Sequence, residues 1–328
     1  MNRRDTVLAI FALGAAQIAA QERGKTWRIG VLTPTADEAK SGEPSAYAKA
    51  FLNEMQAAGY ALGMDYVFET RSANGDYERL PTLAKDLVRI NVDIIIALTP
   101  VAIGAAFKAS KTVPIVCIGA HDPVGQGFAA SLARPGGNVT GLASFYGELV
   151  PKHLEMLKLI VPKASSVALL TTGDTGQDTK LGQRIRDAAN KLGLRLQTVE
   201  GVTLEQLPHA FADMTRERAD AFIAFADAIF FQERRQLAEL ALKHRLPSFF
   251  GNHENVQAGG LLSYGEDFID MFTQSAKYVS KIMKGAKPGD LPIEQPTKFH
   301  LALNRKTATA LKLSIPQELL MRANEVIE

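Results

Sequence analysis

The chain has 328 residues, of which 46% are apolar and 22% charged, with a formal net charge of +2. That length suits two lobes of ordinary size better than a single core. The composition is that of a soluble globular protein, and the interspersed, nearly balanced charge leaves no basic face for nucleic acid or an anionic membrane.

Arg3 and Arg4 precede an apolar run over residues 7–16, followed by small residues up to Ala20. Charged start, short apolar stretch and small-residue exit are the layout of a secretory signal peptide. The run is about ten residues long, whereas a bilayer span takes roughly 20. Residues 1–20 are therefore expected to be a signal peptide, cleaved after Ala16 or Ala20, and the mature protein to be periplasmic. No cysteine closes this segment, so no lipid anchor is expected there. The single cysteine, Cys117, lies in the run Ile115-Val-Cys-Ile118 and reads as a small buried hydrophobe.

Strand and helix signals then alternate. Trp27 to Leu32 reads as a buried strand ending at Thr33-Pro34-Thr35. Residues 45–58 carry Tyr47, Phe51, Met55 and Ala58 on one helical stripe, and Gly59 supplies a left-handed stop. A strand at 66–69 and a helix marked by Leu80, Leu83, Leu87 and Val88 follow. Next come an apolar strand at 92–98, a short helix at 101–109 and a strand at 114–118. The second half repeats the alternation: strand 166–171, helix 178–192, strand 195–199, helix 204–218 and strand 220–225. A single long helix is expected over 229–244, and another over 267–284. Such alternation implies parallel sheets covered on both faces.

The two halves share landmarks. Ile29-Gly-Val-Leu-Thr33 matches Val167-Ala-Leu-Leu-Thr171, and Val92-Asp-Ile-Ile-Ile-Ala97 matches Ala219-Asp-Ala-Phe-Ile-Ala224. Pro114-Ile-Val-Cys117 matches Pro247-Ser-Phe-Phe250, and the pair Gly136-Gly137 matches Gly259-Gly260. The spacing between matched landmarks drifts, which excludes a short solenoid repeat. After each glycine pair a short strand, at 139–143 and 261–264, can carry the chain to the other lobe, and the proline-studded stretch 291–296 reads as a third connector. The fold expected is α/β: two doubly wound parallel-sheet lobes joined by a three-crossover hinge. Residues 26–143 with 265–293 would form the N-terminal lobe, and 144–264 with 294–328 the C-terminal lobe. Small molecules bind in clefts between such lobes.

Enzyme signatures are weak. Gly125-Gln-Gly-Phe-Ala-Ala130 has the residues of a dinucleotide turn, but residues 119–124 separate it from its strand. The glycines must sit at the strand-to-helix junction for the helix to meet a pyrophosphate, so a loop before a short helix is the better reading. No nucleophile elbow, Walker loop or zinc-protease helix appears. The six histidines are scattered without metal-site pairing, and His153, His209 and His244 read as solvated helix positions. No cofactor and no metal are expected.

In doubly wound sheets ligands lie beyond the carboxyl ends of the strands. In the first lobe those ends place Thr33 and Thr35, Thr99 and Pro100, and His121 and Asp122. In the second they place Thr172 and Asp174, then Asp227, then Asn252. Neutral hydroxyls and helix N-termini suit a carboxylate, Asp122 or Asp227 can pair an ammonium, and Tyr146 and Tyr264, beside the crossings, offer an apolar wall. Each of these is also a common helix-cap or turn residue. None of these six loops carries Lys or Arg, which argues against a phosphate ester, and the only tryptophan, Trp27, sits at the far end of its strand from them. The ligand expected is a small amphipathic organic molecule, an amino acid or an aromatic or branched carboxylate, rather than a sugar or a metal.

Several stretches carry a resemblance: Asp122-Pro-Val-Gly125, Ser131-Leu-Ala-Arg-Pro-Gly-Gly-Asn-Val-Thr-Gly141, Gly259-Gly-Leu-Leu-Ser-Tyr-Gly265, the run 282–299 and the ending Ala323-Asn-Glu-Val-Ile-Glu328. From about Trp27 onward the chain resembles the substrate-binding proteins of bacterial ABC transporters of the tryptophan/tyrosine-binding type. The resemblance implies a type I periplasmic-binding-protein fold, no catalysis, and a membrane permease as partner to a protein expected to be a monomer. The stretch Asp270-Met-Phe-Thr-Gln-Ser275 is more neutral than that family's pattern. Two other readings stay open. One is an exported enzyme using His121 or His253 with Asp122 or Asp227 in the cleft. The other is the sensor lobe of a transcriptional regulator, although no helix-turn-helix precedes Trp27.

Overall fold

The computed structural model describes residues 25–35, 44–171, 180–199, 204–225 and 227–328. The expected signal peptide, residues 1–20, and two expected ligand residues, Thr172 and Asp174, lie outside the described residues.

The first lobe opens with β1 (Trp27–Thr33), α1 (Ala46–Ala57), β2 (Tyr66–Ser72), α2 (Leu80–Arg89), β3 (Ile94–Leu98), α3 (Thr99–Ala109), β4 (Ile115–Ala120) and β5 (Val139–Ala143). The second follows with α4 (Tyr146–Ile160), β6 (Ser166–Leu170), α5 (Lys180–Lys191), β7 (Arg195–Val199), α6 (Leu207–Arg216) and β8 (Ala221–Ala224). It continues through α7 (Ala228–Gln232), α8 (Arg234–Lys243), β9 (Ser248–Phe250), α9 (His253–Gln257) and β10 (Leu262–Glu266). Last come α10 (Phe268–Met283), β11 (Ile293–Glu294), β12 (Phe299–Asn304), α11 (Arg305–Ala310), α12 (Gln317–Arg322) and β13 (Glu325–Ile327).

Two sheets result, a six-stranded one in the order β11-β5-β4-β3-β1-β2 and a seven-stranded one in the order β13-β12-β10-β9-β8-β6-β7. The chain therefore passes between sheets after β5, after β10 and after β11. Pairing is parallel throughout the first sheet. In the second, β12 runs antiparallel to β10, a departure from the all-parallel expectation. The direct return from β11 into β12, with no intervening helix, fixes that direction.

Strand side chains alternate between faces, and the cores follow that rule. Ile95 and Ala97 join one cluster of the first sheet with Leu80, Leu87 and Ile103. Ile94 and Ile96 join the other with Phe51, Met55 and Val279. In the second sheet Val167 and Leu169 pack under α4, whereas Ala168 and Leu170 face α6 and α8. Burial on both faces is why these strands read as continuous apolar runs. Cys117 is fully buried in β4, and burial pushes its thiol up to about 12.

Three elements differ from the sequence expectation. The single helix over 229–244 is two, α7 and α8, broken at Glu233, whose ψ of 21° leaves the helical range. Asp227 starts α7 by accepting the Ile229 N–H, and the break lets Phe230 enter the core while Phe231 stays only partly buried. The glycine string at 125–130 precedes no helix; residues 121–138 run as turns, with Phe128 stacked edge-on against Phe107 at 5.1 Å. Finally, α3 begins at Thr99, not residue 101, with Pro100 in its first turn, where a missing N–H costs nothing.

Candidate functional site

In a parallel sheet the carboxyl ends of the strands share one edge. Along the first sheet the neighbours β4, β3 and β1 set His121 and Asp122, Thr99 and Pro100, and Thr33 and Thr35 side by side. Along the second, β9 and β8 do the same for Asn252 and Asp227. The two edges meet. Tyr77, in the turn before α2, donates its hydroxyl to Asp227 Oδ1 at 2.8 Å, and Tyr47 of α1 donates to Glu254 Oε1. The Tyr47 ring lies 6.2 Å from Phe231 of α7.

The expected residues are not equally available. Thr33 is nearly buried and donates its hydroxyl to the Thr35 carbonyl at 2.8 Å. Asp122 turns back on its own loop, where Oδ1 accepts the Gly125 N–H at 3.0 Å. Thr99 is different. Its backbone sits at φ 74°, an outlier for a β-branched residue, and its hydroxyl oxygen is buried without a hydrogen-bond partner among the described residues. Buried hydroxyls are normally paired, so a donor and acceptor stands unused at the head of α3. On the second lobe, Asp227 and Asn252 line a small pocket together with Phe230, Phe231 and Asn255. A wider groove lies between α4 and α5, lined by Glu155, Arg184, Asp187 and Lys191. It lies beside the end of α5 that leads into β7, away from the strands' carboxyl ends, so the smaller pocket is the better candidate.

Tyr146 and Tyr264 do not join the group as open walls. Tyr146 is 7% exposed, donates its hydroxyl to the Ala224 carbonyl at 2.6 Å and stacks edge-on against Phe225. Tyr264 is partly buried and stacks on Phe299 at 5.9 Å. Its carbonyl meets His153 Nε2 at 2.5 Å. The sequence reading of His153 as a solvated residue is corrected: it is fully buried, and burial pushes its pKa down to about 4. It therefore sits neutral beneath the crossings, with Nε2–H donating and Nδ1 unpaired among the described residues.

The crossings are tied by a residue that the sequence did not single out. Glu266, at the end of β10, accepts from the Ser144 hydroxyl on both oxygens, at 3.0 and 2.9 Å, and from the Phe145 N–H. Burial raises its pKa, and the Phe145 and Ser144 donors oppose that rise. A carboxylate closing the apolar run Leu261-Leu-Ser-Tyr-Gly265 was the available signal. Tyr47 and Tyr77 gave none, because a tyrosine in a helix's first turn is ordinarily read as core or surface. Among the described residues, no group of three or more His, Cys, Asp or Glu could hold a metal ion, and no helix is long and apolar enough to cross a membrane.

Two parallel-sheet lobes, three crossings and apposed strand ends define a two-lobed α/β protein with the type I periplasmic-binding-protein fold. Comparison with known proteins narrows this. The model of the ABC transporter substrate binding protein family matches residues 42–327, and the chain belongs to that family. A tyrosine-binding protein of Clostridioides difficile is 23% identical over 281 residues, covering 85% of this chain and 78% of that one. A conserved domain protein from Vibrio cholerae superposes with a TM-score of 0.83 at 26% identity, over 92% of this chain and 100% of that one. A Streptococcus ABC domain in complex with L-Trp gives 0.82 at 23% identity, over 92% and 100%.

Proposed function

We propose that this protein is the extracytoplasmic solute-binding component of an ABC importer, a non-enzyme that takes an amino acid or an aromatic or branched carboxylate between its lobes and delivers it to a membrane permease. The lobes on this reading are residues 26–143 with 265–293 and residues 144–264 with 294–328. The carrying observation is the apposition of the strand ends, with the Thr99 hydroxyl, unpaired among the described residues, at the head of α3 on one side and the Asp227–Asn252 pocket on the other. A helix N-terminus and a hydroxyl suit a carboxylate, and Asp227 suits an ammonium. Relatives named for tyrosine binding or solved with L-Trp support the same class. Closure on the solute follows if the solute contacts both lobes better when they are together.

Thermal-shift screening against L-tryptophan, L-tyrosine, L-leucine, aromatic acids, sugars and metal salts tests the reading. A ligand at about 100 times its Kd stabilises by roughly 2.7 kcal/mol, and an amino acid or carboxylate is expected to raise Tm by several degrees. Stabilisation by a sugar with no response to any carboxylate would overturn the ligand class.

A further inference from the structure

Two hydrogen bonds cross the cleft, and they share a design. Each begins at a tyrosine in a helical turn of the first lobe and ends on a carboxylate in or next to the first turn of a helix of the second. Tyr47 follows β1 and reaches Glu254, which follows β9. Tyr77 follows β2 and reaches Asp227, which follows β8. Neither bond involves Glu266 or His153, the residues that tie the crossings.

Both ends are held. The Tyr47 ring stacks on Phe272 at 5.2 Å and meets Phe268 edge-on at 6.3 Å, both on α10, which packs against α1. Its hydroxyl is thereby presented to the other lobe. Asp227 Oδ1 is oriented by its own helix, accepting the Ile229 N–H at 2.8 Å. Burial, and then the charge of Asp227, hold the Tyr77 hydroxyl far above its ordinary range, so it remains a donor. These contacts use protein side chains alone and need no solute to form.

We propose that Tyr47 and Tyr77 are paired interlobe latches, whose hydroxyls bind Glu254 and Asp227 to hold the lobes together and slow the escape of a captured solute. The inference rests on the solute-binding reading for its purpose, but its test does not. Neither tyrosine is assigned a ligand contact; both position one lobe on the other. A hydrogen bond to a charged group changes an equilibrium by roughly ten-fold or more, and these partly buried pairs belong at the low end.

Spin labels at Lys85→Cys on α2 and Glu239→Cys on α8, both exposed positions, report the interlobe distance in the full chain without solute; buried Cys117 is inaccessible to the reagent. The parent should show a short-distance population. Tyr47→Phe and Tyr77→Phe, which keep the rings, should each lower its ratio to the open population by roughly ten-fold, and the double variant by more. Glu254→Gln and Asp227→Asn approach the same bonds from the acceptor side and should act in the same direction. An identical distribution in the parent and the double variant, or a parent with no short-distance population, would overturn the latches. Either result leaves the solute-binding reading standing, and a blank thermal-shift screen leaves the distance measurement decisive.

Discussion

His153 shows how one buried group ties pH to the hinge. On α4, between the Tyr146 ring at 5.6 Å and the Tyr264 carbonyl, it meets no charged partner among the described residues. Its pKa falls from 6.5 to about 4 because burial penalises the imidazolium. As pH falls, the unfolded chain therefore takes the proton first. The stability His153 confers is complete above about pH 6.5 and is lost progressively toward pH 4, a term of roughly 3 kcal/mol across that window. Glu266, with a raised pKa, pulls the other way at the low end. His153→Gln retains a donor for the Tyr264 carbonyl and removes the titration. Its Tm should fall less between pH 7 and pH 4.5 than that of the parent. Equal slopes in the two proteins would assign the acid sensitivity to other groups.

Among the elements, β9 and β10 are packed closest where they reach the hinge. A Cβ on Gly265 would lie 1.9 Å from the Gly251 carbonyl oxygen, and one on Gly251 would lie 2.0 Å from Tyr146 Cε2. The first obstacle is backbone, which cannot swing aside. Gly265→Ala should therefore cost more than about 3 kcal/mol, above the usual range for overpacking, measured as a loss of denaturant midpoint. A midpoint within error of the parent would mean that β10 shifts freely. This crowding was only half legible beforehand. The landmarks Gly259-Gly260 and Tyr264 marked the crossing, but which residue a glycine must admit depends on a neighbour brought from another strand. The strands themselves were legible because burial on both faces leaves unbroken apolar runs such as Ile94-Ile-Ile-Ala-Leu98. The break between α7 and α8 was not, since Phe230-Phe-Gln-Glu-Arg234 contains neither glycine nor proline to announce it.

At the scale of the molecule, the duplicated landmarks were the strongest signal, because two copies of an α/β pattern can bury their sheets only as two lobes. The strand-end loops were legible as a class for the same reason: parallel topology sends them all to one edge. Which of their residues remain available was not. Thr33 and Asp122 satisfy themselves locally, Tyr146 is engaged within the second lobe, and Thr99 alone among these hydroxyls stays buried and unpaired among the described residues. The residues that join the lobes, Tyr47, Tyr77, Glu254 and Glu266, carry no motif, because their meaning comes from what the other lobe places opposite them. Solute capture between the lobes is most directly tested by small-angle scattering with and without a saturating solute identified by the thermal-shift screen. The radius of gyration should fall on addition of the solute, in step with its binding isotherm; an unchanged scattering profile at saturation would contradict capture by closure.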